Sequence, residues 1–291
     1  MIDSDDTANA DDASADRARA DRATADDGPD TAGPGEDRPG QEHDSVREAR
    51  QILMSAERIV VLTGAGISTD AGIPDFRGPD GLWTKNPAAE RASTIQHYLT
   101  DDEARRASWR MRLDTRLVNA DPTPGHHALV DLEGQGRLGH LATQNVDGLH
   151  RKAGTSAELL TEVHGSVSGI MCVSCDWRSE VAPVLDRVRA GDDDPRCEVC
   201  GGILKTTVVM FGEMLPEGAM EECIAAVDAA DAFLAVGTTL EVGPVNSMAF
   251  RARSRGLPVV IVNKGDTAGD TFADAKVEES ISEVLPKLLS S

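Results

Sequence analysis

Residues 59–83 hold the side chains with the clearest chemical potential, because an apolar stretch leads into a glycine loop and then into a loop with charged residues. Residues 59–63 are apolar or β-branched, which is typical of a buried parallel strand. Gly64 and Gly66 follow directly and would let the backbone approach a pyrophosphate closely. This order indicates a nucleotide site, although two glycines after a strand are also compatible with a simple tight turn.

The residues after the glycines make this interpretation more specific. Ser68 and Thr69 are expected to open a helix whose N-terminal N–H groups favour phosphate. The spacing departs from the dehydrogenase pattern G-x-G-x-x-G, because Thr69 stands in the place of the third glycine. Asp75, Phe76 and Arg77 then cluster in a Gly/Pro-rich loop, where a carboxylate, an aromatic ring and a guanidinium have no packing reason to occur together.

Four of the five cysteines form two C-x-x-C pairs with 21 residues between them. Each pair can fold as a tight knuckle that directs two sulfurs at one tetrahedral ion, and four thiolates leave no open position for a substrate. The pattern predicts one structural Zn²⁺ held by Cys172, Cys175, Cys197 and Cys200, with disulfides or a redox pair as alternatives. Cys223 lies in a helical pattern and is expected to be a packed thiol.

The chain of 291 residues carries a net charge of −21. Residues 1–44 contain 12 aspartates, 2 glutamates and 4 arginines with few apolar side chains, so they are expected to form a disordered acidic tail. The tail is interpreted as solvated surface or as a docking arm for basic partners. The remaining residues are also acidic, which argues against bulk nucleic-acid binding.

Targeting signals are not evident in the sequence. It has no basic-then-apolar signal segment, and no run approaches the ~18 apolar residues of a membrane span. We therefore expect a cytoplasmic monomer with no nucleic-acid or membrane partner.

Strand-like and helical patterns alternate beyond the tail. Strands are predicted at residues 59–63, 138–144, 233–237 and 259–263. Helices are predicted at residues 46–56, 125–133, 219–229, 245–254 and 281–289. Such alternation favours an α/β fold with a doubly wound parallel sheet, in which the motifs after the strands meet at the carboxyl edge.

The motifs together resemble the sirtuins, NAD-dependent protein lysine deacylases. The matching segments appear in the order of that family: GAGIS, GIPDFRG, GLW, TQNVDGLH (143–150), EVHG (162–165), the two C-x-x-C pairs, FGE (211–213), GTT (237–239) and VN (262–263). The resemblance covers residues 45–291. It implies a Rossmann-like part made of residues 45–85, 125–165 and 208–291. Residues 86–124 and 166–207 would form a smaller domain with the zinc module.

The implied reaction consumes NAD, an acyl-lysine protein and water and yields nicotinamide, O-acyl-ADP-ribose and free lysine. His164 matches the general base, and a pKa near 6.5 suits histidine to that task. Asp147 matches the residue that holds the carboxamide of nicotinamide. Asn145 would lie beside the ribose, and Gln144 would orient a ribose hydroxyl.

The resemblance also assigns the binding residues. NAD would be contacted by Gly64, Ala65, Gly66, Ser68, Ile73, Asp75, Phe76, Arg77, Trp83, Gln144, Asn145, Val146, Asp147, Gly237, Thr238, Thr239, Asn263, Lys264, Gly265 and Ile281. The acyl-lysine substrate would be contacted by Val209, Phe211, Gly212, Glu213 and Val242. The peptide would dock as an added strand between residues 209–213 and 241–243.

The acyl specificity and two rival functions stay open at this point. The Tyr-x-x-Arg pair of desuccinylase-type sirtuins is absent, which favours acetyl or longer neutral acyl groups, although Arg110 or Arg112 could still reach the tunnel. Gly243 replaces a larger residue found in many sirtuins beside the peptide cleft. The alternatives are an NAD-dependent ADP-ribosyltransferase and a non-catalytic NAD or acyl-peptide sensor.

Overall fold

A computed structural model of the protein describes residues 44–75, 78, 81–85, 93–113 and 120–290. The predicted acidic tail lies outside these residues apart from Asp44. Phe76, Arg77 and the side chain of Trp83 also lie outside them.

The described residues form nine strands in two sheets. The strands are β1 Ile59–Thr63, β2 Leu138–Thr143, β3 Leu160–Glu162, β4 Gly169–Cys172, β5 Arg178–Glu180, β6 Leu204–Thr206, β7 Ala232–Val236, β8 Val259–Val262 and β9 Ala275–Val277. Six of them make a parallel sheet in the order β3-β2-β1-β7-β8-β9. The predicted doubly wound parallel sheet is confirmed.

Helices cover the parallel sheet on both faces. The helices of the described chain are α1 Asp44–Ser55, α2 Leu82–Lys85, α3 Ile95–Thr100, α4 Asp102–Arg112, α5 Pro124–Gly134, α6 Leu149–Ala153, α7 Val181–Arg189, α8 Ala219–Asp228, α9 Ser247–Ser254 and α10 Ile281–Leu289, with 3₁₀ turns at Ala65–Ala71 and Ala157–Leu159. None of these helices has the length and apolar character needed to cross a bilayer.

Strand β1 shows how the sequence builds the two layers. All five of its side chains are buried, and successive side chains of a strand point to opposite faces. Ile59 and Val61 pack into the core that includes residues of α1, α5 and α10. Val60 and Leu62 pack into the core that includes residues of α8 and α9. A run that is apolar at every position is therefore what a strand buried on both faces requires.

The loop after β1 differs from its prediction. Ser68 and Thr69 do not open a helix, because the 3₁₀ turn already begins at Ala65 and contains both residues. The hydroxyl of Thr69 donates to the carbonyl of Gly66 at 3.0 Å inside that turn. The tight winding has a tertiary cause, since the backbone of Gly237 packs directly against the start of the turn.

The second sheet is small and antiparallel, in the order β5-β4-β6. Its core holds Trp109 from α4, Leu185 from α7, and Cys172 and Leu204 from the sheet. We call this sheet with α7 and the two C-x-x-C pairs the cysteine module.

Candidate active site

The strand ends bring the sequence motifs to one edge of the parallel sheet. Thr63 at the end of β1 is paired in register with Thr143 of β2 and Val236 of β7. The chain then continues at this edge as Gly64, Gln144 and Gly237. The carboxyl ends of parallel strands meet at one edge, and ligands of open α/β sheets bind there.

Two glycine loops cross at the point where the strand order reverses between β1 and β7. The N–H of Gly66 donates to the carbonyl of Gly237 at 2.9 Å. A Cβ on Gly66 would lie 2.7 Å from the Cα of Gly237, and one on Gly237 would lie 2.5 Å from the Ile67 nitrogen. Gly237 also has a φ of 62°, which favours glycine. The crossing leaves bare backbone at the switch point, as a dinucleotide site requires. Ala65, Thr238 and Thr239 lie beside it in the chain.

Ser68, Asn145 and Asp147 form a hydrogen-bonded cluster next to the crossing. The Ser68 hydroxyl donates to Asp147 Oδ2 at 2.8 Å. The Asn145 side-chain amide donates to Ser68 Oγ at 3.1 Å and to the carbonyl of Gly64 at 3.1 Å. Burial raises the pKa of Asp147, against the hydrogen bonds from the Leu149 N–H and Ser68. The residues predicted to hold the carboxamide and the ribose are thus brought together, with Val146 between them in the chain.

Gln144 connects the end of β2 to the loop after β7. Its side-chain amide donates to Thr238 Oγ1 at 2.8 Å. Its backbone N–H donates to the carbonyl of Thr63 at 2.9 Å. The predicted catalytic amide is therefore fixed between two of the strands that carry the glycine loops.

His164 lies just after β3, half-buried, with a defined tautomer. Its Nδ1 lies 3.1 Å from the carbonyl of Gln144. A carbonyl can only accept, so Nδ1 carries the proton and Nε2 is left with its lone pair. Burial lowers the pKa of His164, opposed by that hydrogen bond. The ring is therefore neutral at cellular pH, with Nε2 able to take a proton.

The predicted substrate segment, residues 209–213, runs beside His164. The Val209 N–H donates to the carbonyl of His164 at 2.8 Å. Phe211 pairs with the chain before α3, since its N–H donates to Ser93 and its carbonyl accepts from Ile95, both at 3.0 Å. The side chain of Phe211 is 42% exposed. Gly212 and Glu213 follow it, and Val242 is half-buried.

The residues predicted on the adenosine side and in the acidic loop lie at other points of the same unit. Asn263 follows β8 and donates to the carbonyls of Lys264 and Gly265 at 3.1 and 3.3 Å. Ile281 begins α10. Asp75 Oδ1 accepts from the Gly78 N–H at 2.9 Å, which closes a turn. Ile73 is half-buried.

The four cysteines of the C-x-x-C pairs converge, with all sulfurs within 4.8 Å of one another. Sulfurs of Cys172 and Cys200 are 3.5 Å apart, and those of Cys175 and Cys197 are 3.7 Å apart. A tetrahedral Zn²⁺ with bonds of about 2.3 Å requires about 3.8 Å between sulfurs. These distances therefore fit one zinc ion, and they are too long for disulfides.

Further polar groups support the site, although no site role was predicted for them. Thr63 Oγ1 donates to Thr143 Oγ1 at 2.8 Å, and Thr143 Oγ1 accepts the Asn145 N–H at 3.1 Å. His150 Nε2 lies 2.9 Å from Thr63 Oγ1. The sequence reasoning missed these three residues. The available signal was the threonine that ends each of two apolar strands.

A parallel α/β sheet, a glycine crossing at its switch point and a cysteine module thus define the fold and the site of this protein. The chain belongs to the Sir2 family, whose family model matches residues 64–244. The resemblance to the sirtuins that the sequence motifs indicate is therefore confirmed.

Several relatives are similar over nearly their full length. The chain is 46% identical over 231 residues to NAD-dependent protein deacetylase 2 of Streptomyces coelicolor, covering 79% of this chain and 96% of that protein. It is 37% identical over 248 residues to NAD-dependent protein deacylase 2 of Archaeoglobus fulgidus, covering 84% and 95%. A solved Sir2 structure with a deacetylated p53 peptide and 3′-O-acetyl-ADP-ribose is similar with a TM-score of 0.77 at 31% identity, covering 84% of this chain and 97% of that one.

Proposed function

We propose that the protein is an NAD-dependent protein lysine deacylase. The observation that carries this proposal is His164, whose Nδ1 is bound to the carbonyl of Gln144, the residue before Asn145 of the polar cluster, so that Nε2 keeps its lone pair. Membership of the Sir2 family and the deacetylase and deacylase activities of its relatives support the same reading. The products are nicotinamide, O-acyl-ADP-ribose and free lysine.

NAD fits the site because the glycines let two backbone loops meet at the switch point and the polar cluster offers an amide and a carboxylate. Bound NAD supplies a cationic nicotinamide as leaving group, which makes the ribose C1′ carbon electrophilic. The role proposed for Asp147 is to hold the carboxamide, while Asn145 positions the ribose. Ile73 and Phe76 enclose the nicotinamide and exclude water. Gly64, Ala65, Gly66, Ser68, Arg77, Thr238 and Thr239 lie along the diphosphate, and Asn263, Lys264 and Gly265 along the adenosine.

His164 acts as the general base in this proposal. Once the acyl oxygen had displaced nicotinamide from C1′, a ribose hydroxyl oriented by Gln144 would have to lose its proton before it could attack the acyl carbon. Nε2 of His164 would receive that proton, directly or through a second hydroxyl, and water would complete the release of free lysine. The Nδ1 hydrogen bond to the Gln144 carbonyl keeps the ring in the tautomer that this transfer needs.

The acyl-lysine peptide is proposed to add as an extended strand between the substrate segment and residues 241–243. Main-chain pairing of this kind tolerates many sequences. Val209 and Phe211 line the path of the lysine stem. The acyl group is neutral in this proposal, because the Tyr-x-x-Arg pair that would hold a second carboxylate is absent from the sequence.

The zinc ion acts through the fold. Four thiolates complete its coordination, so it ties the cysteine module together and takes no part in the reaction. We propose the division into a Rossmann-like part and a smaller domain made of residues 86–124 and 166–207. The cytoplasmic location, the monomeric state and the absence of nucleic-acid and membrane partners stay predictions of the sequence.

The proposal is tested by measuring nicotinamide released from NAD with and without an acetyl-lysine peptide. We expect release that depends on the peptide and is matched by an equal amount of deacetylated peptide. The unacetylated peptide is the control. Transfer of label from NAD to protein without deacetylation would indicate an ADP-ribosyltransferase instead. Binding of NAD without any turnover would indicate a sensor.

A further inference from the structure

Lys205 is a buried cation that the proposed reaction does not use. It lies in β6 with 2% of its surface exposed. Its Nζ lies 3.0 Å from Glu213 Oε2 and donates to the carbonyl of Val208 at 2.9 Å. A buried ammonium requires such partners, since an unpaired charge in the interior is very costly.

Both partners of Lys205 belong to the chain that follows it and carries the substrate segment. Glu213 ends this segment, and the same carboxylate oxygen also accepts the Met210 N–H at 2.7 Å. The Glu213 N–H in turn donates to the Met210 carbonyl at 3.0 Å. The side chain and backbone of Glu213 therefore close a turn over residues 210–213. The Lys205 ammonium binds the carboxylate that closes this turn.

The strand that carries Lys205 is fixed by the cysteine module. In the antiparallel pairing of β4 with β6, Cys172 faces Leu204 and Met171 faces Lys205. Leu204 is fully buried in the core that contains Cys172 and Cys197. The ammonium thus projects from a strand whose neighbour carries a cysteine of the metal site.

The substrate segment is held at its start and middle by backbone hydrogen bonds. Val209 donates to His164, and Phe211 exchanges hydrogen bonds with Ser93 and Ile95. The turn that ends the segment is held at the Glu213 carboxylate. The ion pair with Lys205 therefore fixes the end of the edge offered to a peptide.

We propose that Lys205 is a positioning residue for the acyl-lysine peptide, which holds the substrate segment against the cysteine module through Glu213 and Val208. This inference rests on the proposed function, since it assigns a role within the same reaction. It also connects the cysteine module to the substrate segment. The link runs from Cys172 through β6 to Lys205.

The test uses the full-length, zinc-loaded protein and compares Lys205→Met and Glu213→Gln with the wild type. We expect the KM for an acetyl-lysine peptide to rise about tenfold in each variant, which corresponds to about 1.4 kcal/mol. The KM for NAD should change less than about twofold, and zinc should stay at one ion per chain. The double variant should have about the same peptide KM as either single variant, because the two residues act as one unit.

Arg187→Met is the matched control, because Arg187 lies in the same module and pairs with Asp192 at 2.7 Å, away from the substrate segment. Its peptide KM should equal that of the wild type. A wild-type peptide KM in Glu213→Gln would overturn the inference even if Lys205→Met fails to fold. An equal rise of both KM values would also overturn it, since that indicates general distortion. An inactive wild type would instead refute the proposed function.

Discussion

Two buried histidines should make the stability of this protein depend on pH in a way that can be calculated. His126 and His150 are buried, and their ring centroids are 4.7 Å apart. Burial lowers the pKa of His126 to about 4 and that of His150 to about 3, with His127 as the second cause for His126 and His126 as the second cause for His150. His126 Nδ1 already accepts the Thr123 N–H at 3.1 Å, and His150 Nδ1 has no hydrogen-bond partner, so a proton added to either Nδ1 would find no acceptor.

The lowered pKa values determine whether the protein gains or loses stability as the pH falls. Both folded-state pKa values are depressed, so the unfolded chain binds more protons and stability is lost as pH falls below about 6.5. At pH 5.5 an unfolded histidine gains roughly 1.4 kcal/mol from protonation, while a folded one with a pKa of 4 or 3 gains almost nothing. The two residues together should therefore cost about 2.8 kcal/mol of unfolding free energy between pH 8.0 and 5.5.

The assay is urea unfolding of the wild type, His126→Gln and His150→Gln at both pH values. The unfolding free energy at pH 5.5 is subtracted from that at pH 8.0 for each protein. The packing cost of the substitution is the same at both pH values and therefore cancels. We expect this difference to shrink by about 1.4 kcal/mol in each single variant. His127→Gln, which changes an exposed ring in the same helix and only a secondary cause of the lowered His126 pKa, should change this difference far less. A His150→Gln variant with the wild-type pH dependence would refute the reasoning. The sequence isoelectric point near 4.6 keeps the protein negatively charged throughout.

Two further predictions concern the reaction and the metal. His164→Ala should reduce deacylation by roughly 10²–10⁴-fold while NAD affinity is retained. The acid limb of the wild-type pH profile should lie below pH 6.5, because burial lowers the pKa of His164. Near-normal turnover in the variant would show that His164 is not the general base. Cys172→Ala should lose the zinc ion together with thermal stability and activity, whereas Cys223→Ala, which removes a buried thiol outside the cluster, should keep its zinc; full activity in a zinc-free wild type, measured with metal analysis, would contradict the structural role.

The central sheet was predictable because its strands are long apolar runs. Residues 59–63 match β1, and the other three predicted strands match β2, β7 and β8 to within one residue at each end. The strands β3 and β9 were not predicted, since three residues give too little pattern to separate a strand from a loop. These two segments are strands because they pair with β2 and β8.

The candidate site was predictable where a motif places a residue directly after a strand. Gly64, Gln144 and Gly237 lie where that rule puts them. The winding of the loop after Gly64 was not predictable, because its cause is contact with Gly237, 173 residues further along the chain. The burial of Lys205 was hidden for a similar reason. A lysine between Leu204 and Thr206 looks like an ordinary exposed residue until Glu213 folds back onto it.

The strand order also determines how early the strands of the parallel sheet can pair while the chain is being synthesised. β1 lies in the middle of the sheet, and its partner β7 pairs Ala232 with Ile59, so 173 residues must be added after Ile59 before that pairing can start. At roughly 5–20 residues per second, the ribosome needs about 9 to 35 s for this stretch. During that time the edge of β1 that later binds β7 has no partner strand, and the N–H of Gly66 has no Gly237 carbonyl to bind. The nucleotide site therefore comes into existence late and all at once, when the last third of the protein emerges.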